Sequence, residues 1–140
     1  MSKTKVLITG GSGAGTIAVI ESLHELGTYE VSAADAVPQS AGLGLADHGY
    51  VIPFGVDPAF EGALRAIMKA NCPDFIIPTV DEEIPVVHRL LAREFPHVRI
   101  LAPSLEFSEA MMDKWVMFER LSAAGISVAK TWLASDAAGA

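Results

Sequence analysis

A glycine-rich turn directly after a short apolar run constrains the fold of this chain more than any other feature. Residues 5–16 read KVLITGGSGAGT. The apolar run predicts a buried strand, and the periodic apolar residues after the glycines predict a helix. A strand, tight turn and helix in this order are typical of a βαβ unit, whose turn points backbone N–H groups outward at the start of the helix. The turn is therefore a candidate anion site.

The same alternation continues along the chain. Helices are predicted at about 14–26, 57–71 and from 79 into the nineties, and the remaining strands at 29–34, 50–53, 74–78 and 98–101. Strands that recur about every 20 to 25 residues, each separated by one helical pattern, require parallel pairing with right-handed crossovers. We therefore predict an α/β fold with a doubly wound, five-stranded parallel sheet.

Several polar residues are predicted to cap helices. Asp57, followed by a proline, is a typical helix start, and Thr79 with Glu82 has the spacing of a capping box. Ser104 and Asp113 are predicted to cap two further helices, the second of which ends near residue 125.

Acidic residues follow two of the predicted strands. The carboxyl ends of parallel strands meet at one edge of a sheet, so the glycine turn, Asp35 and residues 79–83 should converge there. Asp35 lies about 20 residues beyond the glycines, where an acidic residue can bind a ribose hydroxyl, but a carboxylate that closes the turn before Pro38 is the favoured interpretation. Asp81, Glu82 and Glu83 suit a helix start better than a metal site, because adjacent helical positions point in different directions. We predict no metal site and no catalytic nucleophile with its base.

Composition narrows the class of ligand. The chain has 140 residues, a formal net charge of −7 and a pI near 4.9, which argues against a nucleic-acid surface. No apolar run approaches the roughly 20 residues that span a bilayer, and the N-terminus leads into a strand rather than a signal peptide, so we expect a cytoplasmic protein. The single cysteine, Cys72, is predicted to be a small buried residue at a helix end.

Four segments, in order, resemble the N-terminal part of the ATP-grasp ligases, particularly those like the carbamoyl-phosphate synthase large subunit. They read TGGSGAG, AADAVPQSAGLGLADHGYVIP, DFIIPTVDEE and ILAPSLEFSEAMMDKWVMFERLSAAGISVAKTW. The resemblance implies a preATP-grasp domain, a Rossmann-like, three-layer α/β/α fold that precedes the nucleotide-clasping domain and contributes to the acceptor-substrate site. It also implies the domain boundaries, with the preATP-grasp domain at 1–103, a helical hinge at 104–126 and the start of a missing ATP-grasp domain at 127–140.

The resemblance further implies a chemistry and a set of binding residues. ATP-grasp ligases phosphorylate a carboxylate or bicarbonate with MgATP, and an amine or ammonia then attacks the acyl phosphate, so cationic groups must stabilise the transferring phosphoryl group. The lysine of the DK pair, Lys114, is expected to contact ATP. The acceptor, a small-molecule carboxylate or bicarbonate, is expected to be lined by Gly10, Gly11, Gly13, Asp35, Glu82 and Glu83.

The nucleotide-clasping part of the resembled ligases lies beyond Ala140. ATP and magnesium are therefore expected in the complete enzyme, whereas this chain alone should bind neither tightly and should not turn over ATP. Its expected partner is the missing ATP-grasp domain, in the same or another chain. The apolar run at 126–133, with an exposed Trp132, favours such a partner.

Two other functions remain open at this point. The first is a fragment of an NAD(P)-binding reductase or epimerase, favoured by Thr9, Gly10, Gly13 and Asp35. Thr16 weakens it, because a glycine normally stands there to let the helix approach the strand. The second is a non-catalytic module that forms a homodimer through the apolar face of its last helix, around Trp115, Phe118 and Trp132.

Overall fold

The computed structural model describes residues 2–135 of the chain. It divides into two compact units, Met1–Ala102 and Pro103–Ala140. Residue 1 and residues 136–140, which include the end of the predicted start of an ATP-grasp domain at 127–140, lie outside the described residues.

The first unit contains a five-stranded sheet in the order β3-β2-β1-β4-β5, and all four neighbouring pairs are parallel. The strands are β1 (Thr4–Thr9), β2 (Tyr29–Asp35), β3 (His48–Val51), β4 (Phe75–Pro78) and β5 (Arg99–Ile100). The helices are α1 (Ala14–Glu25), α2 (Ala41–Leu45), α3 (Phe60–Asn71) and α4 (Ile84–Glu94). The predicted doubly wound parallel sheet is confirmed.

Alternate residues of β1 face opposite layers of helices. Leu7 belongs to a core with Leu64 of α3 and with residues of α4. Val6 and Ile8 belong to a second core with Ile20 of α1. All five side chains are buried. The sheet is therefore the middle of three α/β/α layers, because successive side chains of a strand point to opposite faces.

Two predicted helix starts are wrong. Helix α3 begins at Phe60 rather than next to Asp57, whose Oδ1 accepts a 2.8 Å hydrogen bond from Ala59 N in the preceding turn. The capping box does not form, because Thr79 Oγ1 donates instead to the carbonyl of Thr9, at 2.7 Å. The chain then makes a 3₁₀ turn, Asp81–Glu83, before α4.

The predicted burial of Cys72 is also wrong. Cys72 is exposed and forms the C-cap of α3 with a left-handed backbone (φ 48°). Its Sγ donates a long 3.5 Å hydrogen bond to the carbonyl of Lys69, in the last turn of α3, and stays at the surface. The thiol therefore contributes little to the packing of α3.

The second unit contains two capped helices, α5 (Leu105–Met112) and α6 (Lys114–Ala123). Ser104 Oγ accepts a hydrogen bond from Phe107 N at 3.2 Å, and Asp113 Oδ1 accepts one from Trp115 N at 2.8 Å, so both predicted caps are confirmed. Residues 126–133 have no regular secondary structure, and Trp132 is 58% exposed. No helix within residues 2–135 has the length and apolarity needed to cross a membrane.

The turn between β1 and α1 depends on Gly10. Its φ of +75° lies in the region that favours glycine, and a methyl group there would overlap Thr79 Oγ1 and lie 2.8 Å from Val80 Cγ2. The carbonyl of Gly10 also accepts a 2.8 Å hydrogen bond from Thr16 Oγ1. The first glycine of the turn is therefore needed for the backbone to pass beside β4.

We predict that Gly10→Ala lowers the free energy of unfolding by about 2–4 kcal/mol, because backbone strain and a steric clash add. Denaturant unfolding measures the change. Gly62→Ala is the matched control: Gly62 lies in α3 with open space around it, so the alanine should raise stability by about 0.5 kcal/mol. Equal effects of the two substitutions would contradict the geometry of this turn.

Candidate functional site

A cavity of about 180 Å³ opens at the carboxyl edge of the sheet. Its lining comes from the glycine turn after β1, from the residues that follow β2 and β4, and from Phe54 and Gly55 in the loop after β3. The chain runs from β1 outward to β3 and then crosses to β4, on the other side of β1. The cavity therefore lies beside the switch in strand order, where open α/β sheets bind their ligands.

Glu83 lines this cavity although its side chain is buried, with 5% of the residue exposed. Thr9 Oγ1, at the end of β1, donates a hydrogen bond to Glu83 Oε2. Burial raises the pKa of Glu83 to about 7; the hydrogen bond from Thr9 opposes this shift, and the charges of Asp35 and Glu82 add to it. The carboxyl group can therefore gain or lose a proton near neutral pH.

Glu83 and Glu82 have different environments in the structure, although nothing in the sequence distinguishes them. Glu82 is exposed and is not among the residues that line the cavity. The 3₁₀ turn directs Glu83 inward, and Gly55 gives it room, because a methyl group at Gly55 would lie 2.6 Å from Glu83 Cγ. Gly55 was missed by the sequence analysis, and only the packed loop reveals its role.

Asp35 is the second carboxylate of the cavity and is 4% exposed. Its Oδ2 accepts a hydrogen bond from Ser12 N in the glycine turn, and its Oδ1 accepts one from Val37 N at 2.6 Å. Of the two roles open to it from the sequence, the structure shows the closing of a turn. It also shows a contact that the sequence did not suggest, because Asp35 holds the glycine turn against β2.

The glycine turn does not present all its amides to a ligand. Gly11 N donates to Ala34 O at 3.2 Å and Gly13 N donates to Gly10 O at 3.1 Å, while Ser12 N donates to Asp35. The expectation of outward-pointing amides is therefore wrong at residues 11–13, because acceptors of the same chain already occupy them. Gly10 lines the cavity, whereas Gly11 and Gly13 do not.

Three threonines secure this arrangement. Thr79 Oγ1, after β4, donates to the carbonyl of Thr9, and the hydroxyls of Thr79 and Thr16 are 3.2 Å apart. Thr16 is almost fully buried, and its hydroxyl donates a hydrogen bond to the carbonyl of Gly10. This bond links α1 to the turn at a position where the dinucleotide-binding pattern has a glycine. The sequence marked Thr16 only as a departure from a pattern, and the bonding of Thr9 and Thr79 gave no local signal.

Lys114 belongs to the second unit and is the first residue of α6. Its side chain is exposed, and Nζ donates a long 3.4 Å hydrogen bond to Met111 O. It borders an apolar groove formed by α6 and the segment that follows, including Phe118, Leu121 and Val128. Within residues 2–135, no group of three or more His, Cys, Asp or Glu side chains is placed to hold a metal ion.

Solved structures share the fold over nearly the whole chain. N5-carboxyaminoimidazole ribonucleotide synthetase from Thermotoga maritima matches with a TM-score of 0.67 and 23% identity, over 91% of this chain and 32% of its own. Glycinamide-RNase-transformylase T from Mycobacterium tuberculosis matches with a TM-score of 0.69 and 19% identity, over 94% and 38%. Both are ATP-grasp ligases, matched in their N-terminal preATP-grasp regions. The fold that the resemblance implied is confirmed.

A weaker match is relevant to the alternative function. dTDP-glucose 4,6-dehydratase from Bacillus anthracis, solved in complex with NAD, has a TM-score of 0.50 and 21% identity, over 69% of this chain and 36% of its own. No protein-family profile matches the sequence, and no curated protein shows significant similarity to it. This chain spans about a third of the length of the two ligases.

The pKa of Glu83 predicts an unusual dependence of stability on pH. The folded state holds this proton up to about pH 7, whereas an unfolded chain releases it near pH 4.5. The contribution of Glu83 to the free energy of unfolding is therefore full below about pH 4.5 and falls, by up to about 3 kcal/mol, as the pH rises to 7. Glu83→Gln cannot ionise. Its free energy of unfolding, relative to that of the wild type, should therefore be about 1–3 kcal/mol higher at pH 8 than at pH 5.

Urea unfolding at pH 5 and pH 8 measures this difference. Glu21→Gln, on the exposed surface of α1, is the matched control and should follow the wild type at both pH values. A stability difference between Glu83→Gln and the wild type that is the same at both pH values would show that Glu83 ionises like an exposed carboxylate.

Proposed function

We propose that this chain is the N-terminal, substrate-side domain of an ATP-dependent ligase that joins a carboxylate to an amine, or forms carbamoyl phosphate, through an acyl phosphate. One observation carries the proposal: the parallel sheet and the two helices after it match the N-terminal regions of ATP-dependent ligases over more than 90% of the chain. The four sequence segments that resemble these ligases support the proposal independently of the fold.

In this proposal the sheet edge binds the acceptor. The cavity lies at the switch in strand order, and its two carboxyl groups come from Asp35 and Glu83. Glu83 accepts hydrogen bonds when ionised and can donate one when protonated. It can therefore orient a substrate that offers either a hydrogen-bond donor or a hydrogen-bond acceptor. Gly10 forms the floor of this site. Gly11, Gly13 and the exposed Glu82 complete the proposed acceptor side, the two glycines by shaping the turn.

The nucleotide is proposed to bind elsewhere, at the second unit. The sheet edge fits the phosphates of ATP poorly, because its cavity is lined by two carboxyl groups and the amides of residues 11–13 already donate to acceptors of the same chain. Lys114 fits them better, since its ammonium is exposed beside an apolar groove. Bound MgATP would supply the phosphoryl group that activates the acceptor. Lys114 would hold one of its phosphates by a charge-assisted hydrogen bond.

The domain organisation is proposed to follow the predicted boundaries, with the acceptor domain at 1–103, a helical hinge at 104–126 and the start of an ATP-grasp domain at 127–140. Because the chain spans about a third of the ligases it matches, we propose that the 140 residues alone neither bind ATP and magnesium tightly nor turn over ATP. Trp132 and Leu133, both exposed, support contact with a further domain or subunit. A homodimer through α6 is the alternative, and light scattering over a concentration series distinguishes them.

An NAD(P)-binding reductase fragment is the second candidate, favoured by the match to a dehydratase solved with NAD. It is the weaker candidate because that match has a TM-score of 0.50 over 69% of the chain, whereas the ligases match over more than 90% of it with TM-scores of 0.67 and 0.69. Fluorescence titration with NADH separates the two candidates, and saturable micromolar binding would favour the reductase.

We predict that MgATP leaves the melting temperature of the isolated 140 residues almost unchanged, whereas the full product of the parent reading frame is stabilised by it and hydrolyses or transfers its phosphate. In that full product, Lys114→Ala should raise the KM for ATP about tenfold, because a charge-assisted hydrogen bond to phosphate is lost.

Lys69→Ala is the control for this prediction. Lys69 is an exposed lysine of α3, paired at 3.9 Å with Glu94, and its removal should leave the KM for ATP unchanged. A large thermal shift of the isolated chain with MgATP, or no nucleotide dependence in the full product, would count against the ligase.

A further inference from the structure

We infer that Asp35 is a specificity-determining residue, which fills the anion site of the glycine turn with its own carboxylate and excludes phosphate groups from this edge. Its two oxygens accept hydrogen bonds from Ser12 N and Val37 N. The side chain lies against the turn, since a methyl group at Gly11 would be 3.4 Å from Asp35 Cβ and 3.5 Å from Oδ2. The carboxylate thus occupies the Ser12 amide, which would otherwise be free to bind an anion.

Displacing this carboxylate would cost the protein two hydrogen bonds. Asp35 is 4% exposed, so a carboxylate removed from Ser12 N and Val37 N would be left buried without its partners. A buried charge without hydrogen bonds is strongly unfavourable. The amides on either side of Ser12 offer no substitute, because both donate to backbone carbonyls.

The charges around the cavity act in the same direction. Asp35 and Glu83 are the charged residues among those that line it, and no lysine, arginine or histidine is included. An approaching phosphate would meet two carboxyl groups in a site of low dielectric, where repulsion is stronger than in water. The edge therefore selects groups that donate hydrogen bonds, such as an ammonium, a hydroxyl or an amide N–H.

This selection restricts the acceptor substrate, a step that rests on the proposed function. An acceptor bound here would turn its amino or hydroxyl groups towards Asp35 and Glu83. Its reacting carboxylate would point out of the cavity, away from these two acidic groups. Bicarbonate alone offers a single hydroxyl and suits the cavity less well than an amino- or hydroxyl-bearing carboxylic acid.

The test is a titration of the ¹⁵N-labelled chain with inorganic phosphate at constant ionic strength, followed through the amide signals of residues 11–13. In the wild type, the Ser12 signal should not respond saturably. In Asp35→Ala, which frees the Ser12 amide and removes one negative charge, phosphate should bind at Ser12 at least about tenfold more tightly. Acetate, which replaces the missing carboxylate, should compete with phosphate in this variant.

Two further variants keep the result interpretable. Asp35→Asn retains the shape and one acceptor oxygen, so it should fold where the alanine variant fails and should show an intermediate response. Glu21→Ala removes one negative charge from the exposed surface of α1 and should behave as the wild type. A saturable wild-type response at Ser12, or a folded Asp35 variant with no gain in phosphate binding, would overturn the inference.

The proposed function fails on different grounds. The phosphate titration needs no turnover, whereas the ligase is tested by nucleotide-dependent activity of the full product. An active ligase whose Ser12 amide binds phosphate would overturn only the role of Asp35. If the full product were inactive and its Ser12 amide did not bind phosphate, only the proposed ligase function would be overturned.

Discussion

The central position of β1 is the constraint on which the rest of the structure depends. β1 pairs with β2 on one side and with β4 on the other, so its end is flanked by the residues that follow both strands. Thr9 therefore meets Glu83, and Ser12 meets Asp35, across 74 and 23 positions of sequence. The site is a consequence of strand order, because each of these contacts requires a parallel neighbour that ends at the same edge.

The chemistry of this edge is unusual for a glycine turn at the start of a helix. Such turns commonly bind anions, because their free amides and the helix dipole favour negative charge. Here the negative charge comes from the chain itself, through Asp35, and a second carboxyl group is held beside it with a pKa raised by burial. In the proposal above, this edge would bind groups that donate hydrogen bonds, and a nucleotide would bind at Lys114 in the second unit.

Local patterns predicted local structure well. The caps at Ser104 and Asp113 form as expected because each depends on neighbouring amides alone, and the α/β alternation fixed the sheet type. At the sheet edge, the failures arose where distant residues compete for a hydrogen-bonding group. Thr79 matched a capping box, yet the β1 carbonyl is its partner, and adjacent Glu82 and Glu83 look identical until a 3₁₀ turn buries one of them. Asp35 was located correctly, whereas its bond to Ser12 depends on strand register.

The pKa of Glu83 depends on the strand order, on the burial of the turn after β4 and on the charge of Asp35. A ¹³C NMR titration of the Glu83 side-chain carboxyl, assigned by comparison with Glu83→Gln, measures its pKa directly. The structure predicts a midpoint near 7, well above that of an ordinary glutamate. A midpoint close to 4.5, the usual value, would mean that the carboxyl is solvated, and the account of an enclosed acidic cavity at this edge would be wrong.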